Sequence, residues 1–328
     1  MQAFEYARPR SAQEAVHLLG GTGGDAAALA GGTDLLSLMK DGVATPKRLV
    51  SLQHLTEMKG ISYRGESGLR LGALATLEEL MDNAAVREHY PALVEAADGV
   101  RSPQIRSTGT VGGDLCQRPR CWYYRAGYGL LATYNGKPLV PEGDNRYHAI
   151  LGNSGPAYFV SPSSLAPILI ALNAHMKIHG PEGVRDISVK NFFVTPQHEG
   201  ELEHALQPGE IVTEIIVPHP GDVKMAVYEV RQKEALDWPL AAAAVVLKLD
   251  GGNVQSATVV LGQVAPVPWP SPQAAEALNG KAVNEDVAWA AGQEALIEAK
   301  PLSRNAYKVQ LARVAVKRAI LRAAKGEA

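Results

Sequence analysis

The sequence predicts a protein of the α+β class that is built from more than one domain. The chain has 328 residues, and a single hydrophobic core stops growing near roughly 250–300 residues. With 46% hydrophobic and 20% charged residues, its composition is that of an ordinary globular protein. The last third reads as three strands followed by helices, a pattern typical of a sheet covered by helices.

Charge and hydropathy exclude several classes of protein. Lys and Arg number 32 against 34 Asp and Glu, a formal net charge of −2, whereas a nucleic-acid-binding domain is normally strongly basic. The most apolar stretch, residues 239–249, contains Lys248 and falls short of the about 20 apolar residues that a bilayer span needs. The first residues show no secretory signal. We therefore expect a soluble, cytoplasmic protein with no nucleic-acid partner and no membrane span.

Cysteine content limits the metal chemistry. Cys116 and Cys121 are the only two cysteines. Iron–sulfur clusters are usually held by four cysteines, and a zinc site made of cysteines alone also needs four. We expect no iron–sulfur cluster and no metal site in this chain, and a low cysteine count agrees with a reducing compartment.

The first half alternates strand and helix signals. Ser11 with Glu14, and Thr76 with Glu79, form two capping boxes that each predict a helix start. The remaining signals predict strands over residues 4–6, 27–29, 48–52 and 69–71 and helices over 11–20, 35–39, 76–81 and 91–97. Residues 106–115 read as a Gly/Thr-rich loop and 116–148 as an irregular, aromatic insertion. A strand over 158–160 and a helix from Ser163 to residue 171 follow.

The last third predicts a three-stranded antiparallel sheet and three helices. Asp250-Gly251-Gly252 is a strong hairpin signal between two of the strands. The strands are predicted over residues 225–231, 241–249 and 254–261, and the helices over 273–278, 287–298 and 305–324. Residues 218–222 (PHPGD) are the best candidate for a domain linker.

Glycine pairs are the most informative local motifs. Residues 21–26 match G-x-G-x-x-A but follow a helix, so we interpret them as a helix stop and turn rather than a dinucleotide fingerprint. Two other pairs lie within residues 30–34 (AGGTD) and 110–114 (TVGGD). Adjacent glycines let successive N–H groups point into one concavity that binds phosphate oxygens, and they permit close approach of a ligand. Two such loops could hold the two phosphates of a dinucleotide, although each pair alone is more often a turn.

Longer runs resemble a known family. AGGTDLLSLMK at 30–40 and QIRSTGTVGGDLCQRPRCWYYR at 104–125 are similar to the two flavin loops of the FAD-binding medium subunits of molybdenum hydroxylases. That family includes subunits of carbon monoxide, xanthine and aldehyde dehydrogenases and of 4-hydroxybenzoyl-CoA reductase. The resemblance extends over nearly the whole chain, through PSSLAP at 162–167, PGEIVTEIIVP at 208–218 and DWPLAAAAVV at 237–246.

The resemblance implies a fold and a domain division. It implies a two-subdomain FAD-binding fold of the vanillyl-alcohol-oxidase (PCMH) type over residues 1–220, with subdomains of about 1–55 and 56–220 and the insertion at about 116–148. A C-terminal domain of the carbon monoxide dehydrogenase flavoprotein type would follow over residues 221–328.

The resemblance also implies the cofactor site. The backbone of the two glycine loops would hold the FAD pyrophosphate, and Ser164 lies where relatives often carry an Asp that meets the ribityl chain. An N-cap of the following helix is an equally good interpretation of Ser164. The expected FAD-binding residues are Leu29, Ala30, Gly31, Gly32, Thr33, Asp34, Leu35, Thr110, Val111, Gly112, Gly113, Asp114 and Ser164. No His lies within residues 29–40 to tether the flavin, so FAD should be bound non-covalently.

Two positions depart from the family pattern. Asp114 stands where relatives usually carry Asn, and a carboxylate beside a pyrophosphate is repulsive unless its side chain turns away. The insertion is similar to that of a branch with a four-cysteine [4Fe–4S] cluster, of whose ligands only Cys116 and Cys121 have counterparts. We therefore expect the insertion without the cluster, and its Trp122, Tyr123 and Tyr124 either to pack the insertion down or to meet a partner.

The function that the resemblance implies is electron relay within a complex. A small [2Fe–2S] subunit, itself supplied by a large molybdopterin subunit, would reduce the flavin, which would pass electrons to NAD(P)⁺, a quinone or dioxygen. Two alternatives remain open: a self-sufficient FAD-dependent oxidoreductase, and a structural subunit that has lost its flavin.

Overall fold

A small parallel sheet forms the N-terminal part of the protein. The structure is a computed structural model that describes residues 1–20, 25–233 and 237–326. The three strands lie in the order β1-β3-β2 and all pair in parallel. Their bounds, with those of the two helices between them, are β1 Glu5–Ala7, α1 Ala12–Gly20, β2 Ala26–Leu29, α2 Leu35–Lys40 and β3 Arg48–Ser51. The predicted strands and helices of this segment are confirmed, whereas the glycine turn at residues 21–24 lies outside the described residues.

A five-stranded antiparallel sheet is the centre of the larger part of the chain. Its order is β4-β5-β10-β8-β9, so β10 returns from far along the chain to pair with β5 and β8. The strands are β4 Ile61–Tyr63, β5 Leu69–Gly72, β8 His175–Gly180, β9 Gly183–Ser188 and β10 Ile211–Val217. The helices around it are α3 Leu77–Asp82, α4 Ala84–His89, α5 Pro91–Asp98, α6 Pro103–Arg106, α7 Val111–Cys116, α9 Ala166–Ala171 and α10 Val189–Phe192.

Two local predictions in this part are wrong. Residues 106–115 are not one loop, because α7 begins at Val111, where the Thr110 hydroxyl accepts the Gly113 amide at 3.0 Å and caps the helix. Residues 158–160 form no strand. In both cases a short Gly/Thr or apolar run carries no periodicity that distinguishes a helix end from an extended segment. The helix expected to follow Ser163 and to end at Ala171 is confirmed, with α9 beginning at Ala166.

The insertion at 116–148 contains little regular structure. It holds one helical turn, α8 Trp122–Arg125, and a hairpin of two-residue strands, β6 Thr133–Tyr134 and β7 Lys137–Pro138. The irregular character predicted for this segment is confirmed.

The C-terminal sheet has four strands, not the three predicted. The strands β11 Lys224–Val230, β12 Ala241–Asp250 and β13 Asn253–Gly262 pair antiparallel as expected, with the turn at Gly251 and Gly252. The added strand, β14 Trp269–Pro270, pairs only Val260 with Pro270 and Leu261 with Trp269. A two-residue strand that contains one proline and follows another has no alternating pattern, so only the tertiary pairing shows it. The helices that follow are α11 Pro272–Leu278, α12 Glu285–Glu294 and α13 Tyr307–Lys325.

Two large hydrophobic cores each draw residues from both parts of the chain. One is formed mainly by the five-stranded sheet and its helices, but it also contains Met225 and Val260 from the C-terminal strands. The other lies between the C-terminal sheet and α11–α13, and it contains Ile150 and Leu151 from the segment that follows the insertion. Each part of the chain therefore buries apolar side chains against the other. The domain division near residue 220 stays a prediction.

The capping box at α3 provides a test of local stability. The Thr76 hydroxyl accepts the Glu79 amide at 3.1 Å, and the Glu79 carboxylate accepts the Thr76 amide at 2.7 Å. Thr76→Ala should lower the free energy of unfolding by about 1 kcal/mol, because one N-terminal amide loses its acceptor. Urea unfolding followed by far-UV circular dichroism measures it. Thr56→Ala, at an exposed position, is the control, and an equal loss in both variants would contradict the role of the cap.

Candidate functional site

The two glycine loops touch each other. The first connects β2 to α2, and a Cβ built on Gly31 would lie 2.0 Å from the Thr108 carbonyl oxygen and 3.2 Å from the Gly109 Cα. Only glycine permits this approach, since real Cβ atoms do not lie under about 3 Å from backbone atoms. The next residue, Gly32, has φ +74°, a left-handed conformation that glycine adopts without strain. Both glycines of the first pair are therefore required by the backbone.

The second loop is held by the end of β5. The amides of Val111 and Gly112 donate to the carbonyls of Ala75 and Ala73, at 2.8 and 2.9 Å. A Cβ on Gly112 would lie 2.9 Å from Ala73, whereas a Cβ on Gly113 would meet only the Thr110 hydroxyl, also at 2.9 Å. Gly112 thus has a packing role against β5, and Gly113 is the member of the second pair that faces open space.

The loops lie at the middle of a cleft with two chambers. The loop-side chamber, about 380 Å³, lies between β2, the first loop and Ile211–Val212 of β10. The domain-side chamber, about 390 Å³, extends from the loops past residues 99–102 to the C-terminal part of the chain. The two chambers share five of their lining residues, which are Thr33, Asp34, Thr110, Gly113 and Gln117. The two chambers therefore adjoin each other at the two glycine loops.

Eleven of the thirteen expected residues line this cleft. The two that do not are Leu29 and Val111, which are buried in hydrophobic cores. The residues that line one or both chambers are Ala30, Gly31, Gly32, Thr33, Asp34, Leu35, Thr110, Gly112, Gly113, Asp114 and Ser164. Within the described ranges, the backbone amides of residues 31–34 donate no hydrogen bond to another residue. These donors are available to an anion in the cleft.

The Asp114 carboxylate turns away from the loop and binds the segment before α9. Its Oδ2 accepts the Leu165 amide at 3.0 Å and is also hydrogen-bonded to the Ser163 hydroxyl, and its Oδ1 accepts the Ser164 amide at 3.3 Å. Gln117 Nε2 donates to Oδ1 at 2.9 Å. Burial raises the pKa of Asp114, although these hydrogen bonds oppose the shift. The carboxylate thus has its own partners in the protein.

Ser163, not Ser164, caps α9. The Ser163 hydroxyl accepts the Ala166 amide at 3.0 Å, so the N-cap interpretation of Ser164 is wrong. Ser164 instead lines the domain-side chamber.

Asp34 joins the first loop to the insertion. Its Oδ1 accepts from Arg120 at 2.5 Å and from Arg125 at 2.7 Å, and its Oδ2 accepts the Arg118 amide at 2.8 Å. Burial works to raise the pKa of Asp34, but the charge of Arg120 and the hydrogen bonds from Arg125 and Arg118 prevail and lower it. We call Asp34, Arg118, Arg120 and Arg125 the arginine cluster.

Sequence reasoning missed many residues that line the cleft, and three of them carry its charge and aromatic contacts. Arg120, Arg231 and Trp238 line the domain-side chamber, and the Arg120 guanidinium lies over the Trp238 ring, 4.5 Å from its centroid. Arg231 donates to the Gly99 carbonyl at 2.6 Å and pairs with Glu229, whose pKa is raised by burial. The runs CQRPRCWYYR and DWPLAAAAVV contain Arg120 and Trp238, but no spacing in the sequence links them.

The two cysteines lie in different surroundings. Cys116 lines the loop-side chamber, and burial raises its pKa to about 12. The Cys121 Sγ lies 3.2 Å from His148 Nε2. Both thiols are free, and residues 1–20, 25–233 and 237–326 contain no group of three or more His, Cys, Asp or Glu arranged to hold a metal ion.

Trp122, Tyr123 and Tyr124 pack against other residues of the insertion. Trp122 makes edge contacts with Tyr147 and His148, with ring centroids 5.4 and 5.7 Å apart. The Tyr123 hydroxyl accepts the Asp144 amide at 2.8 Å, and Tyr124 is buried. Of the two interpretations of these residues, packing is the one that the contacts support.

Comparison with known proteins identifies the class of protein that this fold and cleft define. Residues 2–220 match the family described as the FAD binding domain in molybdopterin dehydrogenase, and residues 226–323 match the carbon monoxide dehydrogenase flavoprotein C-terminal domain. The chain belongs to the family of FAD-binding medium subunits of molybdenum hydroxylases, which are oxidoreductases.

Similar proteins share the whole length of the chain. The carbon monoxide dehydrogenase medium chain of Hydrogenophaga pseudoflava is 32% identical over 97% of this chain and 96% of its own. The aldehyde oxidoreductase FAD-binding subunit PaoB of Escherichia coli strain K12 is also 32% identical, over 95% and 96%. A solved structure of carbon monoxide dehydrogenase from Hydrogenophaga pseudoflava superposes with a TM-score of 0.78 at 30% identity, covering 99% of this chain and 98% of that one. No helix in the described part of the chain is long and apolar enough to cross a membrane.

FAD fits the cleft for reasons of shape and chemistry. It carries two ring systems joined through a pyrophosphate, and the cleft has two chambers joined through the two glycine loops. The unengaged amides of residues 31–34 and the exposed face of Gly113 lie at that junction, where phosphate oxygens need donors. The Asp114 carboxylate, the charge that could have opposed a pyrophosphate, is directed elsewhere.

Asp34 provides a test of the arginine cluster. Asp34→Asn should lower the free energy of unfolding by roughly 1–3 kcal/mol at pH 7, less than the about 3–5 kcal/mol of a fully buried pair, because these side chains are partly exposed. The folded-state pKa of Asp34 lies below the unfolded value of about 3.9. Its contribution is therefore present above pH 4 and is lost as the pH falls through the folded pKa.

Urea unfolding between pH 3 and pH 7, followed by tryptophan fluorescence, measures both effects. The wild-type and Asp34→Asn stabilities should converge toward the acid end. Asp25→Asn, which removes an exposed ion pair with Lys47, should cost less than about 0.5 kcal/mol. If the difference in free energy of unfolding between wild type and Asp34→Asn stayed constant with pH, the charge of Asp34 would not be what stabilises the loop.

Proposed function

We propose that this chain binds FAD non-covalently in the two-chamber cleft and relays electrons within a molybdenum hydroxylase complex. The observation that carries the proposal is the contact of two glycine loops at the centre of the cleft, with donors left open at the junction. The amides of residues 31–34, with the backbone at Thr110 and Gly113, would hold the pyrophosphate. Bound FAD supplies two-electron and one-electron redox chemistry, while the protein supplies binding, orientation and electrostatics.

Ser164 indicates the direction of FAD in the cleft. The resemblance to the family implies that this position lies beside the ribityl chain, and Ser164 lines the domain-side chamber. The isoalloxazine ring would then occupy the domain-side chamber, between residues 99–102 and the Arg120–Trp238 pair. The adenine would occupy the loop-side chamber, whose wall includes His204 stacked on Phe192.

Two fixed arginine side chains lie beside the proposed position of the isoalloxazine ring. Arg120 and Arg231 both line the domain-side chamber, and both are fixed by acids, Asp34 and Glu229, that also lie near it. Fixed guanidinium groups stabilise negative charge on a bound cofactor without the cost of ordering them at the moment of binding. We infer that these two residues tune the affinity and the reduction potential of the flavin.

Partner subunits follow from the same proposal. The similar proteins are named medium chains or FAD-binding subunits, and this chain has too few cysteines for the iron–sulfur centres of an electron pathway. We propose a small [2Fe–2S] subunit as the electron donor, a large molybdopterin subunit as the site of substrate oxidation, and a cytoplasmic location for the complex. The acceptor would be NAD(P)⁺, a quinone or dioxygen.

Gly31 tests the position of the cofactor. Gly31→Ala places a Cβ against the Thr108 carbonyl oxygen and should separate the loops, so the purified variant should hold at most a tenth of the wild-type FAD, about 1.4 kcal/mol or more in affinity. Absorbance at 450 nm measures the occupancy, and release of the flavin by acid precipitation shows that it is not covalent. Gly155→Ala, whose Cβ would meet only the flexible Gln197 side chain, is the matched control. Full occupancy in Gly31→Ala would remove this loop from the site.

Reconstitution separates the relay from its two alternatives. The FAD-loaded chain alone should not oxidise aldehydes or purines, and addition of the small and large subunits should restore turnover. Turnover by the chain alone, at ordinary rates of roughly 1–1000 per second, would indicate a self-sufficient oxidoreductase. A well-folded chain that takes up no FAD would indicate a structural subunit.

A further inference from the structure

A third cavity adjoins the cleft on the side of the C-terminal sheet. This aromatic cavity has a volume of about 440 Å³ and is lined by Trp122 and Phe159 among others. It shares four wall residues with the domain-side chamber: Arg120, Asp237, Trp238 and Pro239. A ligand in the aromatic cavity would therefore contact the other face of the same wall that bounds the proposed flavin chamber.

The apolar part of the lining favours a flat ring. Trp122, Phe159 and Trp238 supply aromatic surfaces, and Val160 and Leu240 add aliphatic ones. Aromatic rings stack or meet edge-to-face with a planar ligand.

The cavity is also lined by charged groups, most of which have partners in the protein. Arg120 pairs with Asp34, and the Lys308 ammonium donates to three backbone carbonyls, while Lys233 and Asp237 line the cavity with opposite charges. The buried Nε of Arg120 has no hydrogen-bond partner. It is a donor that suits a carbonyl oxygen at the edge of a ring.

Buried polar groups fix one wall of this cavity. Gln263 has φ +62°, a conformation that costs a non-glycine residue energy and that is often found at functional sites. Its side-chain amide donates to the Pro162 carbonyl at 3.0 Å. The buried Lys308 ammonium donates to the carbonyls of Gln263, His148 and Tyr147, at 2.8, 3.1 and 3.2 Å. Apolar side chains in place of Lys308 and Gln263 would stabilise the wall of the cavity equally well. The buried polar groups therefore indicate that the shape of this wall serves a binding site.

The described lining offers no glycine loop to hold the pyrophosphate of a dinucleotide. The described residues that line the aromatic cavity include no glycine, serine or threonine, the residues whose backbone and hydroxyl groups usually hold phosphates. The volume also suits one ring system rather than two linked nucleotides. Of the acceptor classes open to a flavin relay, the one with a flat apolar ring and two carbonyl oxygens is a quinone.

From these observations we infer that the aromatic cavity binds the head group of a quinone that accepts electrons from the flavin. This inference rests on the proposed function, since it needs the isoalloxazine ring in the domain-side chamber. The quinone would take two electrons and two protons from reduced FAD, its two carbonyls would become hydroxyls, and it would leave as the hydroquinone with FAD reoxidised. The Arg120–Trp238 pair, which lines both spaces, would lie between donor and acceptor.

Filling the cavity tests the inference. Val160 lines the aromatic cavity but neither chamber of the cleft, so Val160→Phe should occupy the quinone position and leave FAD content unchanged. Duroquinone is the probe, because all its ring carbons are substituted and the Cys121 thiol cannot add to them. Val184→Phe, the same change at an exposed position on β9, is the matched control.

Two measurements read the result. The FAD-loaded chain, reduced anaerobically with one equivalent of dithionite, should be reoxidised by duroquinone at a rate that saturates, and Val160→Phe should raise the half-saturating concentration at least about tenfold. Reoxidation by ferricyanide should be equal in all three proteins. Duroquinone should also quench the tryptophan fluorescence of the oxidised chain saturably, since Trp122 and Trp238 line the cavity, and Val160→Phe should weaken that binding by the same factor.

The outcomes separate this inference from the proposed function. A rate that rises linearly with duroquinone in the wild type, or equal half-saturation in wild type and Val160→Phe, would overturn the quinone site while the FAD assignment stands. Saturable reoxidation by NAD⁺ that Val160→Phe abolishes would overturn the quinone as the ligand class. A chain that binds no FAD but shows the Val160→Phe effect in the quenching titration would overturn the relay and support the cavity as a quinone site.

Discussion

The contact between the two glycine loops is the constraint on which the cofactor cleft depends. Gly31 approaches the Thr108 carbonyl so closely that no side chain fits between them. This contact joins the small parallel sheet, through β2, to the five-stranded sheet, through the segment that follows α6. The two chambers lie on either side of it and share residues of both loops. A cofactor with a central pyrophosphate would therefore bridge the two sheets at the point where their loops already touch.

Charge fixes the insertion onto this contact. Asp34 follows the first glycine pair, and its carboxylate accepts from Arg120, Arg125 and the Arg118 amide of the insertion. Arg118 also pairs with Glu203 at 2.7 Å, on the far side of the loop-side chamber. Hydrogen bonds from two guanidinium groups to one carboxylate fix the geometry of the contact as well as its charge. The insertion thus retains a structural role through its arginines, although its cysteines are too few for a cluster.

The C-terminal part of the chain completes the cleft instead of standing apart from it. Arg231 and Trp238, which lie after β11, line the domain-side chamber. The Trp238 ring lies under the Arg120 guanidinium of the insertion, an attraction of about 0.5–2 kcal/mol when partly desolvated. Ile150 and Leu151 also enter the C-terminal core, so the two parts of the chain are packed together. The environment of the flavin would therefore be set by both parts.

The sequence by itself determined the class, the main elements and the glycine loops. Capping boxes, hairpin glycines and strand alternation are local, so residues such as Thr76 and Gly251 show their structure within a few positions. The family pattern also located eleven residues that line the cleft. The tertiary structure decided what depends on distant contacts: that Asp114 turns to Ser163, that Gly112 packs on Ala73, that a fourth strand pairs at Trp269, and that Arg120 meets Trp238. These pairs are separated by tens of residues or lie in segments without periodicity, and no local spacing encodes which side chain a carboxylate or an arginine will reach once the chain has folded.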